Sequence, residues 1–191
     1  MVEIVKEKKL WLSILVLFII IAASYLPNLA NAGYIGDDWS TLFVIQQKGP
    51  SNLTYHYSFD RPLRGYHSIL LARLFGTRLP LYQISNLINR FFDSIFILLI
   101  FTLLWPKKWA SNLMIASLAL VFPGYREQLH AFDYQVHQFA SMLIKLSILL
   151  SLLPFKLKNK AISLLCVLAS IGSALIGWGV MEWFIGLEVF R

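Results

Sequence analysis

The strongest constraint on this chain is a set of apolar stretches long enough to cross a lipid bilayer. A membrane-spanning helix needs roughly 20 predominantly apolar residues, and the segment WLSILVLFIIIAASYL near the N-terminus carries no charge. The hydropathy pattern predicts that such segments recur, at about 10–29, 84–105, 109–123, 134–153 and 161–181. The sequence therefore predicts an all-α polytopic membrane bundle of about five transmembrane helices, forming a single membrane domain over residues 1–191.

The composition agrees with a bilayer environment. Hydrophobic residues make up 58% of the chain and charged residues only 14%, whereas soluble domains have about 25% charged residues. The net charge of +7 would suggest nucleic acid as the partner of a soluble protein. Here many of the lysines flank apolar segments, so they indicate orientation in a membrane. We therefore expect membrane lipids, and no nucleic acid, among the partners.

The lysines also predict which side of the membrane each connection faces. If there are five spans, three of the connecting or terminal segments share one side, and these are the lysine-rich ones. By the positive-inside rule they are cytoplasmic, which places the N-terminus in the cytoplasm and the long connection 30–83 outside. The lysines concerned are Lys6, Lys8, Lys9, Lys107, Lys108, Lys156, Lys158 and Lys160.

The first outer loop, residues 30–83, is the most informative segment. Loops of this length in compact proteins are usually functional or disordered, and the aromatic residues throughout this one argue against disorder. The stretch SILLARLF (68–75) is apolar, but Arg64, Arg73 and Arg78 confine it to fewer residues than a span requires. It predicts an interfacial helix within the loop.

Two adjacent acids open this loop in the sequence GDDW (36–39). Asp37 and Asp38 could accept a proton from an attacking hydroxyl or bind a divalent cation. Arg61 and Arg64 follow in the same loop, and arginine binds phosphate with a bidentate geometry that lysine lacks. The alternative is structural, because acids also stabilise a helix N-terminus, and a helix is predicted to begin at Trp39.

These residues resemble a known family. GDDW, the Arg-Pro element FDRPLRGYH (59–67) and the terminal EWFIGLEVFR together look like the N-terminal module of GT-C-fold integral-membrane glycosyltransferases. That superfamily includes protein O-mannosyltransferases and aminoarabinose transferases. The resemblance implies sugar transfer from a polyprenyl-phosphate donor at the extracytoplasmic face, in a bacterial or archaeal plasma membrane. It maps the family's catalytic acid onto Asp37 and its second acid onto Asp38.

The family's common core has about seven spans, whereas this sequence offers five. We therefore expect the chain to be the N-terminal part of a longer protein, or to be completed by further helices or a partner chain. Binding of the lipid-linked sugar donor would depend on that completion. The alternative function is a transporter, flippase or accessory subunit that handles lipid-linked glycans without catalysis.

Several polar residues lie within or beside the predicted spans. Arg90 and Asp93 are spaced to pair on one helix face, and the alternative role for Arg90 is to contact phosphate. Lys145 lies midway along the fourth span, where it needs a carboxylate from another helix or a hydrated cavity. The triplet His130, Asp133 and His137 predicts either a metal site or a solvated polar loop.

Overall fold

The computed structural model describes residues 2–29, 33–59, 61–122 and 130–189. Within these ranges the regular structure is helical, joined by short 3-10 turns. The α-helices are α1 (Val2–Leu29), α2 (Asp38–Lys48), α3 (Leu53–His56), α4 (Pro62–Phe75), α5 (Leu79–Leu104), α6 (Trp109–Leu120), α7 (Asp133–Leu152), α8 (Lys160–Val180) and α9 (Ile185–Val189).

The predicted helical membrane bundle is confirmed. Four helices of the described chain are long and apolar enough to cross a membrane, and they contain Lys8–Pro27, Leu79–Leu104, Asp133–Phe155 and Lys160–Val180. Their outward surfaces expose many large apolar side chains, such as Phe18 on α1 and Leu165 on α8. This is the pattern expected where lipid, and not water, surrounds the bundle.

The predicted span at 109–123, the shortest of the five in the sequence, corresponds to the short apolar helix α6 (Trp109–Leu120). Helix α6 has 12 residues, which at 1.5 Å per residue gives roughly 18 Å, well short of the hydrocarbon thickness. Its last carbonyl, that of Leu120, accepts hydrogen bonds from Arg90 Nε at 2.7 Å and from the Tyr25 hydroxyl at 3.1 Å. A helix can end inside a bundle when neighbouring side chains satisfy its carbonyls in this way, and hydropathy does not record such an ending.

The spanning helices pack side by side through small and polar residues. The α5–α7 pair runs parallel, because Ser85 lies opposite Gln135 and Asp93 lies opposite Lys145. Helix α8 returns antiparallel to α7, and the buried Ser170 hydroxyl donates to the carbonyl of Ser147 at 2.9 Å. Small residues at such contacts let helix backbones approach closely.

A compact set of short helices follows α1, and we call it the module (residues 33–59 and 61–78). Its core includes Leu42 of α2 and Leu53 of α3, the latter fully buried. Helix α4 crosses α3 so closely at Gly65 that an added Cβ would lie 2.7 Å from Thr54 Cα. The predicted short helix at SILLARLF is therefore present as the second half of α4, while its position at a membrane interface stays a prediction.

The module lies at one end of the bundle, where α5 and α7 begin and α8 ends. The lysine-bearing connections lie at the other end, since the Trp109 indole donates to the carbonyl of Lys9 at 3.3 Å and the ring lies under the Lys9 ammonium. The turn after α7 lies at that end too, because α7 runs parallel to α5. The fold thus separates the module from the lysine-rich connections.

Candidate functional site

The module and the ends of α7 and α8 enclose a cleft of about 400 Å³. Sugar-sized and drug-sized ligands occupy pockets of 300 Å³ and above. Acidic, basic, imidazole and aromatic side chains converge on it from segments that are far apart in sequence. The lining residues are Asp37, Ser40, His56, Tyr57, Arg61, Arg64, Asp133, His137 and Trp183.

The two adjacent acids of GDDW have different environments. Asp38 is fully buried, and its carboxylate accepts backbone N–H groups of Ala131 at 2.7 Å, Phe132 at 2.8 Å and Asp133 at 3.1 Å. A fourth N–H, that of Ile35, donates to the same carboxylate at 3.3 Å. Successive N–H groups at the start of a helix favour a negative charge, so Asp38 joins the module to the N-terminus of α7.

This geometry corrects the capping alternative. In that alternative the acidic pair caps the helix that follows it in sequence, but Asp37 at the N-cap of α2 makes no side-chain capping bond. Asp38 instead stabilises α7, which begins about 95 residues later. Because Asp38 does not line the cleft and its oxygens already accept four N–H donors, the structure gives it a positioning role.

Asp37 lies on the open side of the same turn. The residue is exposed and lines the cleft, and its carboxylate makes no hydrogen bond or ion pair with the described part of the chain. Gly36 next to it has a φ of +53°, and an added Cβ there would meet the His130 ring at 3.0 Å. The turn therefore requires glycine at position 36 and directs Asp37 toward the cleft while Asp38 faces the interior.

Arg61 joins the module to the end of α8. Its guanidinium donates to both carboxylate oxygens of Glu182, with Nε at 3.0 Å from Oε2 and Nη2 at 3.0 Å from Oε1. These hydrogen bonds hold the pKa of Glu182 below its ordinary value. The guanidinium carbon also lies 5.6 Å from the centre of the Trp183 ring, which is within cation–π range.

Arg64, one turn further along α4, joins the module to α7. It is buried and forms an ion pair with Asp133. Its guanidinium lies 4.2 Å from the centre of the Tyr57 ring, and the Tyr57 hydroxyl in turn lies 2.6 Å from that of Thr41. Arg61 and Arg64, two of the three arginines predicted to contact phosphate, thus line the cleft, and each is already paired with a carboxylate.

Of the two alternatives for His130, Asp133 and His137, the metal site is wrong. Among the described residues there is no group of three or more His, Cys, Asp or Glu side chains able to hold an ion. Asp133 pairs with Arg64, the His137 ring lies 5.0 Å from that of Trp183, and the His130 ring packs against Gly36. A cation bound by Asp37 and Asp38 together does not fit either, because Asp38 faces four N–H donors.

Arg90 does not belong to the cleft. It is buried within the bundle, where it donates to the Leu120 carbonyl and lies over the Tyr25 ring at 4.6 Å. The predicted Arg90–Asp93 pair is also wrong, because Asp93 accepts two bonds from Lys145 Nζ, at 2.6 and 2.8 Å. The expectation that Lys145 pairs with a carboxylate of another helix is confirmed.

Sequence reasoning missed several contributors to the cleft wall, among them Trp183 and Tyr57. Trp183 follows Glu182, whose long-range bond to Arg61 lies beside the start of α4. The sequence signal for Trp183 was an aromatic residue next to an acid at the end of a predicted span. Aromatic residues are common at every membrane interface. Local pattern alone therefore could not select it.

No protein-family profile, curated protein or solved structure matches this chain.

Proposed function

We propose that this chain contributes the acceptor-activating site of a membrane glycosyltransferase, which moves a sugar from a polyprenyl-phosphate donor to an acceptor at the extracytoplasmic face. The observation that carries the proposal is the position of Asp37. It is the one carboxylate of the cleft that makes no ion pair with the described residues, whereas Asp133 and Glu182 are paired with arginines.

In the proposed reaction Asp37 is the proton acceptor. The acceptor hydroxyl attacks the anomeric carbon, the carbon–oxygen bond to the phosphate breaks, and the polyprenyl phosphate leaves with the electron pair. Asp37 takes the proton of the attacking hydroxyl as a general base. Asp38 acts as a positioning residue, because its bonds to residues 131–133 fix the turn that presents Asp37.

The arginines supply the phosphate contacts of the proposal. Arg61 and Arg64 both line the cleft, and a guanidinium can bind phosphate through two parallel hydrogen bonds. Arg61 is paired with Glu182 at the protein surface, so a bound phosphate can displace Glu182 from it. Arg64 is buried with Asp133, and that pair is harder to displace. Arg90 is not part of the proposed site, because it is buried in the bundle and bonded to the Leu120 carbonyl.

The sidedness of the site is part of the proposal. The lysine-rich connections lie at the opposite end of the bundle from the cleft, and cytoplasmic loops carry an excess of lysine and arginine. This supports a cleft that opens to the extracytoplasmic face and an N-terminus in the cytoplasm.

The second candidate function is binding of a lipid-linked glycan without catalysis, in a transporter or an accessory subunit. The observation that favours it is the pairing of both cleft arginines with carboxylates, which leaves little uncompensated positive charge for a diphosphate. Both candidates require the cleft to bind a sugar, and they differ only in whether Asp37 is needed for turnover.

Replacing Asp37 with asparagine in the full-length protein separates the two functions. Asparagine keeps the size of the side chain and removes its basicity, so sugar transfer should fall by roughly 10²–10⁴-fold. Abundance on an immunoblot should stay unchanged, since Asp37 makes no side-chain contact that holds the fold. Asp37→Glu is the matched control, because it keeps a carboxylate and should recover part of the activity. Full transfer activity in the Asp37→Asn protein would contradict the enzyme proposal.

A further inference from the structure

Trp183 is the most exposed aromatic side chain on the cleft wall. Its exposed fraction is 68%, although it lines the cleft together with Asp37 and the two arginines. Single exposed apolar side chains are common on protein surfaces, but this one lines a cleft whose other walls carry charged and hydrogen-bonding groups. The proton-transfer chemistry gives this ring no role.

The indole is held in place from both sides along the chain. The preceding Glu182 is fixed by its two-point contact with Arg61, and the following Phe184 packs against the buried cluster that contains Val136 and Met181. Contacts with the ring itself come from the Arg61 guanidinium at 5.6 Å and the His137 ring at 5.0 Å. A rigid aromatic side chain binds a partner at low entropic cost because little freedom remains to be lost.

The neighbours of the ring indicate what kind of ligand would cover it. Arg61 already makes the cation–π contact with Trp183, so a second cation such as a quaternary ammonium headgroup would be repelled there. A pyranose ring is neutral, with an apolar C–H face and hydroxyls around its edge. That face matches the indole, and the hydroxyls can bond to the carboxylate, imidazole and hydroxyl groups that also line the cleft.

We propose that Trp183 is the platform on which the sugar ring of the ligand stacks, in the cleft that it shares with Asp37. This inference rests on the proposed function, since it names how the sugar of the lipid-linked donor is held. It adds a binding residue that the acidic motif and the Arg-Pro element do not include. The competing role for Trp183 is an anchor in the headgroup region of the bilayer.

The test compares a polyprenyl-phosphate hexose with the bare polyprenyl phosphate of the same chain length, both added to the purified protein in nanodiscs. The signal is the emission of Trp183, taken as the difference between the wild type and Trp183→Phe, because the chain has six tryptophans. We expect a saturable change with the hexose-bearing lipid and none with the bare phosphate. An equal change with both lipids, or no change with either, would overturn the inference.

A binding measurement with matched variants completes the test. Trp183→Leu should weaken binding of the hexose-bearing lipid by about tenfold, from the loss of one ring stack, while Trp183→Phe should keep most of it. The control is Trp39→Leu, because Trp39 is 59% exposed on α2 but does not line the cleft. Equal losses from the Trp39 and Trp183 substitutions would indicate membrane anchoring and contradict the platform.

The inference and the proposed function fail in different ways. In Asp37→Asn protein the Trp183 signal should persist, because the substitution removes proton transfer and not the stacking surface. If transfer depends on Asp37 but the Trp183 emission does not respond to the sugar-bearing lipid, the platform is overturned and the proposed function stands. A Trp183 response in a protein that shows no transfer would support the platform and favour the non-catalytic function.

Discussion

The carboxylate of Asp38 accepts the backbone N–H of Phe132 at 2.8 Å, and this bond joins the first turn of α2 to the start of α7 across 94 residues of sequence. With the adjacent bonds from Ala131 and Asp133, it fixes the module against the spanning bundle. The cleft lies beside this junction, since Asp37 and Asp133 both line it. The shape of the cleft therefore depends on Asp38, which is buried and does not line it.

Substituting Asp38 should reduce stability far more than substituting Asp37. Asp38→Ala removes the acceptor for four buried or partly buried N–H donors, and the expected cost is about 2–4 kcal/mol. Asp38→Asn keeps one acceptor oxygen and should give an intermediate loss. The measurement is the temperature at which half of the detergent-solubilised protein is lost from the monodisperse peak in size-exclusion chromatography after heating. The matched control is Asp37→Asn, which should behave like the wild type; equal losses at the two positions would contradict the assignment.

The Asp93–Lys145 pair should show strong coupling within the bundle. Removing one partner leaves a buried charge uncompensated, which typically costs 3–5 kcal/mol, so Asp93→Leu and Lys145→Met should each lower abundance and thermal stability. The double variant replaces the pair with apolar side chains and should recover most of the loss. Additive losses in the double variant would indicate that the two residues act independently.

Arg90 should act as a cap for α6 and have no direct part in transfer. Arg90→Leu removes the 2.7 Å bond to the Leu120 carbonyl and should cost about 2 kcal/mol, because a buried acceptor loses its charged donor. Tyr25→Phe removes the longer, neutral bond to the same carbonyl and should cost less. Transfer activity per folded molecule should stay near that of wild type in both variants. Loss of activity without loss of stability would restore the phosphate-binding role of Arg90.

His67 should make stability sensitive to acid. Burial, followed by the nearby charge of Arg64, lowers the pKa of His67 from 6.5 to about 4, so the unfolded chain binds its proton at a higher pH than the folded protein does. Stability should therefore fall as the pH drops from 6.5 to 4, by at most roughly 3 kcal/mol. Thermal stability of wild type and His67→Phe measured across this range isolates the effect, because phenylalanine can keep the contact with Phe139. Identical acid sensitivity of the two proteins would contradict it.

The sidedness of the cleft can be read by thiol labelling of intact cells. In a Cys166→Ser background, a cysteine at Ser51 in the module should react with a membrane-impermeant reagent added from outside. A cysteine at Ser111, near the lysine-bearing end, should be protected. Both positions are exposed to the surroundings of the protein, so burial does not explain a difference. Labelling of Ser111 with protection of Ser51 would invert the proposed orientation.

Prediction from the sequence worked best where the relevant energy is local. Four of the five predicted spans are helices of spanning length, because transfer of an apolar segment into lipid depends on its own composition. The fifth, at 109–123, is the shorter helix α6, and its Leu120 carbonyl accepts bonds from Arg90 and Tyr25 of other helices. Lys145 was also predicted to need a carboxylate, but the sequence spacing placed Arg90 nearer to Asp93. In the structure Asp93 pairs with Lys145, because helix packing determines which charged side chains meet.

The sequence by itself determined that the chain forms a helical membrane bundle, that a long loop with a short helix follows the first span, and that GDDW opens that loop. Only the tertiary structure decided which carboxylate of GDDW lines the cleft and which holds α7, and it also brought Arg61, Glu182 and Trp183 together. The physical reason is that hydropathy is a property of each segment, whereas burial of a charge and its hydrogen-bond partners is set by contacts between segments about 70 to 120 residues apart.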